Sequence, residues 1–150
     1  MSTEENKEII RRWIEVWNTG ELGPLEELIA PDFVYHNASV TLRPESGSEW
    51  YRAHIAGVRG EFPDFHVTAE DLLADGDKVI GRWSWGGTHQ GKAETPWGAI
   101  ATAAGKKVTS TTITITRLAN GRIAEEWWQL DRLGYLQQLG AIPTPAPVTT

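Results

Sequence analysis

The chain has 150 residues, the size of one ordinary domain, with 40% hydrophobic residues, 23% charged residues and a formal net charge of -6. That charge, with no basic run longer than the pairs Arg11-Arg12 and Lys106-Lys107, argues against a nucleic-acid partner, because a phosphate backbone is met by a basic face. There is no cysteine, which removes disulfides, thiolate chemistry and cysteine metal sites and fits a cytoplasmic location. No apolar run approaches the roughly 20 residues of a membrane-spanning helix, so no membrane partner is expected.

The first segment reads as an amphipathic helix. Ile10, Trp13, Ile14 and Trp17 recur at i, i+3, i+4 and i+7, Ser2 and Glu5 form a capping box, and Gly20 closes it. A short second helix is expected over Leu22 to Ile29, with Pro24 in its first turn, stopped by Pro31-Asp32. Phe33 to His36 reads as a short strand, and Ser48 to Gly60 as a third helix. Beyond Phe62-Pro63-Asp64 the period changes from helical to alternating. Four strands follow: Phe65–Leu72, Lys78–His89, Lys107–Leu118 and Arg122–Leu130. Asp75-Gly76-Asp77 and Asn120-Gly121 are the tight turns between them. The stretch from Gln90 to Lys106, with Pro96, is expected as an excursion over a pocket mouth. Asp131 N-caps a last helix, Arg132 to Leu139. Residues 1–142 are thus one domain, and 143–150 a Pro/Thr-rich tail expected to be disordered.

Helices first and then an antiparallel meander is an α+β order. The expected architecture is a cone-shaped, curved antiparallel or mixed β-sheet. About three N-terminal helices pack on its concave face, a short C-terminal helix follows, and a pocket is enclosed between the layers. Eight tryptophans in a chain of this length are far above ordinary usage. Each is either core packing or pocket wall for a flat organic ligand.

The segments Trp17-Asn18-Thr19-Gly20, Phe33-Val34-Tyr35-His36-Asn37, Phe62-Pro63-Asp64-Phe65, Asn120-Gly121-Arg122-Ile123 and Leu136-Gln137-Gln138-Leu139-Gly140 together resemble the SnoaL-like polyketide cyclases of the nuclear transport factor two superfamily. The resemblance spans about residues 5 to 143. It implies a small-molecule ligand, no cofactor, and dimerisation through the sheet, with Trp127 at the interface. It also implies an aldol ring closure in which a carboxylate removes an acidic C–H proton, with donors holding the enolate. It further implies a departure: the family's catalytic aspartate falls at Trp128, and its neighbouring pocket histidine and glutamine fall at Thr114 and Thr112.

The candidates follow from that departure. Alternation puts Glu126, Trp128 and Leu130 on one face of the last strand, so Glu126 is the carboxylate placed to replace the lost aspartate. Asp131 is a helix cap or a second acid near the same pocket. His36 offers an imidazole as a candidate acid or base. Tyr35 and Asn37 share the other face of their strand and can donate to a carbonyl. His89 stands at the entrance of the excursion, as a gate or second base. Trp17 is a pocket wall. Arg82, in mid-strand, needs a partner such as Glu126, and that pairing would make Glu126 structural. His54 and His66 are given no role. No metal-ligand spacing and no phosphate-binding glycine loop occurs. Three readings stay open: a cofactor-free enzyme acting on an apolar carbonyl compound, a non-catalytic binder on the same frame, and a dimeric interaction domain whose outer sheet face is the functional surface.

Overall fold

The computed structural model describes residues 1–37, 40–91, 93–95, 98–100 and 104–148. Helix α1 (Thr3–Thr19) begins where the Ser2 hydroxyl accepts the Glu5 N–H, and buries Ile10, Trp13 and Trp17 on one face. Helix α2 (Leu25–Leu28) is a single turn, and strand β1 (Ile29–Asn37) follows it directly. The longer helix expected over 22–29 is therefore cut short, and the strand begins before Pro31 rather than after Asp32. The ladder of β1 shifts register between Ile29 and Val34. Pro31, which has no N–H to give, falls in that irregular stretch. Strand β2 (Val40–Leu42) pairs antiparallel with β1 and is exposed along its length. With no buried face it carried no alternation to read.

Helix α3 (Gly47–Glu61) is capped by the Ser46 hydroxyl. Strands β3 (His66–Asp75) and β4 (Lys78–Thr88) form a hairpin, and β5 (Ala93–Thr95) and β6 (Gly98–Ile100) form a small separate one. The expected excursion thus contains paired strands; its Pro96 lies outside the described residues, as do the last two residues of the tail. Strands β7 (Lys107–Ala119) and β8 (Arg122–Leu130) meet at Asn120-Gly121, where φ is 53° and 75°. Two successive positive φ angles are what an Asn-Gly hairpin turn supplies at low cost. Helix α4 (Arg132–Gln138) completes the chain.

The main sheet runs β2-β1-β8-β7-β4-β3, antiparallel except for the parallel β1–β8 pair. Alternation divides its faces. On β7, Ser110, Thr112, Thr114 and Thr116 are buried, while Ile113 and Ile115 are exposed. Helices α1 and α3 pack on the buried face and α4 against the end of β7. Asn18 fixes α1 to the sheet edge by bonding both the N–H and the C=O of Val67, at 2.8 and 2.9 Å. Arg59 then donates to the Trp17 and Asn18 carbonyls, satisfying acceptors at the end of α1. Among the described residues no helix is long and apolar enough to cross a membrane.

Candidate active site

A cavity of about 210 Å³ lies between the sheet and helices α1 and α3. Its wall is mostly apolar and rich in aromatic rings: Trp13 and Trp17 from α1, Phe62 from the end of α3, Trp83 and Trp85 from β4, and Trp128 from β8. The polar wall is narrow. Thr112, Thr114 and Thr116 come from the inner face of β7, Glu126 from β8, His54 and Glu61 from α3, and Tyr135 from α4.

Glu126 is the ionisable group at the centre. It is 1% exposed, on the same face of β8 as Trp128 and Leu130. The Tyr51 hydroxyl and the Trp128 indole N–H both donate to its Oε2, the latter at 2.6 Å. Burial raises the carboxyl from its ordinary value to about 6, while hydrogen bonds from Tyr51, Trp128 and Thr116 pull the other way. The desolvation cost wins because all three donors are uncharged. Tyr51 itself is pushed well above the usual phenol range, first by burial and then by the charge of Glu126. It is therefore a proton donor in the hydrogen-bond sense only. A single carboxylate held near neutrality, in an aromatic cavity, can exchange a proton with a bound carbon or oxygen acid.

The other sequence candidates divide by position. Trp17, Thr112, Thr114 and Trp128 stand on the cavity wall with Glu126. Tyr35 and Asn37 lie on the inner side of β1, opposite Glu126 and Trp128 in register, but outside that wall. There the Asn37 amide donates to the Tyr35 hydroxyl at 3.4 Å, and the Tyr35 ring packs tilted against Trp50, centroids 4.8 Å apart. Arg82 lies on the opposite face. It pairs with Asp71 across the β3–β4 hairpin at 2.6 Å, both exposed, so Glu126 is not locked to it. His36 also faces outward, because it is one residue out of phase with Tyr35. Its ring stacks on Trp127 and bonds Glu125 at 2.7 Å. Asp131 accepts the Gly134 N–H at 3.0 Å as the exposed N-cap of α4, away from the cavity. His89 is buried behind Phe62, outside the wall. Its Nδ1 accepts the Gly91 N–H, and its Nε2 lies 3.9 Å from Glu61.

Two residues were missed in the sequence. Tyr51 touches Glu126 from 75 positions away, and no local pattern joins them. His54, given no role, forms part of the cavity wall, and burial lowers its pKa. Its signal was present: Tyr51, His54, Ile55, Val58 and Phe62 recur at helical spacing. Among the described residues no three His, Cys, Asp or Glu side chains are grouped to hold a metal ion.

A six-stranded mixed sheet packed against helices, with an aromatic-rich cavity holding one buried carboxylate, defines an α+β protein of the cone type with an internal pocket. The model of the SnoaL-like polyketide cyclases matches residues 7–139, and the chain belongs to that family. Among solved structures, TsrD of Streptomyces laurentii is similar at 26% identity and a TM-score of 0.79, over 95% of this chain and 99% of that one. IdmH of Streptomyces antibioticus, a candidate polyketide cyclase, is 31% identical with a TM-score of 0.70, over 90% of this chain and 98% of that one. A candidate polyketide cyclase from Bacillus cereus is 27% identical with a TM-score of 0.71, over 95% of this chain and 87% of that one. No curated protein sequence is a significant match.

Proposed function

We propose that this chain is a cofactor-free enzyme that performs acid/base chemistry on a small, flat, apolar carbonyl compound, with Glu126 as the base. The observation that supports it most is Glu126 itself: fully buried, on the cavity wall, with its carboxyl raised to about 6. At pH 7 that group is mostly ionised and still basic enough to take a proton from a carbon flanked by carbonyls. The C–H electron pair moves into the carbonyl oxygen to give an enolate. In an aldol ring closure the enolate carbon then bonds to a second carbonyl carbon held nearby, and the new alkoxide takes a proton. In an isomerisation the same proton returns to a different carbon. Enolisation is common to both.

The test is deuterium exchange. A bicyclic aryl ketone incubated with the protein in D₂O is expected to exchange its α-hydrogen, followed by NMR. Glu126→Gln is expected to abolish the exchange while ligand affinity, read from tryptophan fluorescence, is retained. A variant that exchanges as fast as the natural chain removes Glu126 from the mechanism.

A second reading is a non-catalytic binder. It draws on one feature: Tyr51 and Trp128 already converge on Oε2, a pattern that also suits a structural buried carboxylate. On that reading Glu126→Gln changes neither exchange nor affinity by much.

The reading includes a homodimer formed through the outer sheet face, where Ile113 is 50% and Ile115 38% exposed beside Trp127. It also includes a cytoplasmic location, since a chain without cysteine makes no demand on an oxidising compartment.

A further inference from the structure

The floor of the cavity repeats one contact. Trp83 stands opposite Thr112 in the β4–β7 register, yet its indole N–H donates to Thr114, two residues along, at 2.8 Å. Trp85 stands opposite Ser110 and donates to Thr112 by the same diagonal, at 3.1 Å. Both rings lean the same way because Gly81 begins the row. Gly81 is the register partner of Thr114, and a Cβ there would lie 2.2 Å from the Trp83 ring. The missing side chain leaves the slot in which the first indole lies, and the second follows in its wake.

An indole N–H is a donor only, while a threonine hydroxyl has one donor and two acceptor positions. Each indole therefore fills an acceptor position and leaves the hydroxyl hydrogen to point elsewhere. Thr112 and Thr114 are 4% and 7% exposed, and among the described residues neither hydroxyl is a donor in any hydrogen bond. Both stand on the cavity wall. Thr116, the next in the row, is spent on Glu126. A buried O–H with no acceptor is costly, and a ligand oxygen in the cavity removes that cost.

We propose that Trp83 and Trp85 are positioning residues that set the hydroxyls of Thr114 and Thr112 as fixed donors, so that the cavity selects ligands carrying acceptor oxygens, carbonyl or enolate, along a flat apolar frame. This rests on the cavity being the ligand site, and it names what that site selects. Successive inward residues of a strand are about 6–7 Å apart, so a ligand with oxygens on more than one ring engages both hydroxyls, beside the Glu126 carboxylate.

The test is an equilibrium one and needs no turnover. The probes are 9-fluorenone and fluorene, which share shape and differ by one acceptor oxygen, with binding read from tryptophan fluorescence. The natural chain is expected to prefer fluorenone by about tenfold. Thr112→Val with Thr114→Val is expected to erase the preference, and the corresponding serine pair to keep it. Trp83→Phe with Trp85→Phe is expected to shrink the preference several-fold, fluorenone affinity falling several-fold more than fluorene affinity, a selective loss that general loosening of the pocket would not give. A ratio near one in the natural chain overturns the proposal without any variant. So does a preference that survives in the valine pair, or an equal loss for both probes in the phenylalanine pair. Binding of neither probe overturns it together with the assignment of the cavity. Failure of Glu126 as base leaves the ratio untouched, so the two readings fail separately.

Discussion

The Trp128 indole nitrogen lies 2.6 Å from Glu126 Oε2, two residues earlier on the same face of β8. Trp128 and Tyr51 thus fix the orientation of the buried carboxylate from two sides. A pH effect follows. Burial raises the Glu126 carboxyl from 4.5 to about 6, so between those values the folded chain binds more protons than the unfolded one. Stability from this group is fully present below the unfolded value and is lost as pH rises through about 6, a change of about 2 kcal/mol. Thermal melts from pH 4.5 to 7.5 are expected to show Glu126→Gln gaining on the natural chain as pH rises. Parallel curves would mean that the carboxyl is not perturbed.

Activity should follow the opposite limb. The base form accumulates as pH passes through about 6, so the exchange rate is expected to rise through that point, where it is half its maximum, and to level about one unit above it. Tyr51→Phe removes a donor that lowers the Glu126 pKa, so the limb is expected to move to higher pH. The same change costs about 1–3 kcal/mol of stability, because a buried acceptor loses its partner. A pH–rate profile on Tyr51→Phe separates this tuning from a simple loss of packing, which leaves the midpoint where it was.

The outer-face cluster predicts a different pattern. Burial raises the Glu125 carboxyl, but hydrogen bonds and charge from His36 and Arg117 outweigh it, and the net shift is downward. A depressed carboxylate contributes stability above its unfolded value and loses it as pH falls through the folded one. His36→Ala is therefore expected to weaken the fold at neutral pH and leave exchange within about twofold of the natural rate. A large loss of exchange would return His36 to the catalytic machinery despite its outward position.

Much of this was legible in the sequence for a physical reason. Strand alternation is strict, so Ser110, Thr112, Thr114 and Thr116 had to share a face, as did Glu126 and Trp128, once one of each was known to be inside. Capping chemistry is local, and Ser2, Asp131 and Asn120-Gly121 sit where their side chains and φ angles are needed. What stayed hidden was pairing at a distance. The partner of Arg82 is Asp71, brought opposite it only after the register slips between Ala69 and Asp71. The Tyr51 hydroxyl reaches Glu126 only because α3 packs on β1, the strand beside β8. Inward pointing was also not enough for Tyr35 and Asn37, which are on the right face but outside the cavity wall.

The tether at Asn18 makes a stability prediction. One amide bonds both the donor and the acceptor of Val67, as a strand neighbour would, and ties the end of α1 to the edge of the sheet. Asn18→Ala leaves both backbone groups without that partner and is expected to cost about 1–3 kcal/mol. Trp17, on the cavity wall one residue earlier, should then lose its fixed position, so denaturant melts are expected to shift together with ligand affinity.

Gly81 makes the last prediction, because two consequences follow from one missing side chain. A Cβ at this position would lie 2.2 Å from the Trp83 ring, well inside contact distance. Gly81→Ala must therefore displace the indole, at about 1–3 kcal/mol for an overpacked site. Displacement also breaks the Trp83–Thr114 hydrogen bond and frees the Thr114 hydroxyl to rotate. The variant should thus reproduce the selectivity loss of Trp83→Phe although every wall residue is still present. Melting curves and the fluorenone-to-fluorene affinity ratio, measured on the same preparation, check both effects. A destabilised variant with the ratio intact would mean that the hydroxyl's direction does not depend on the indole, and a variant as stable as the natural chain would mean that the floor has room the packing does not show.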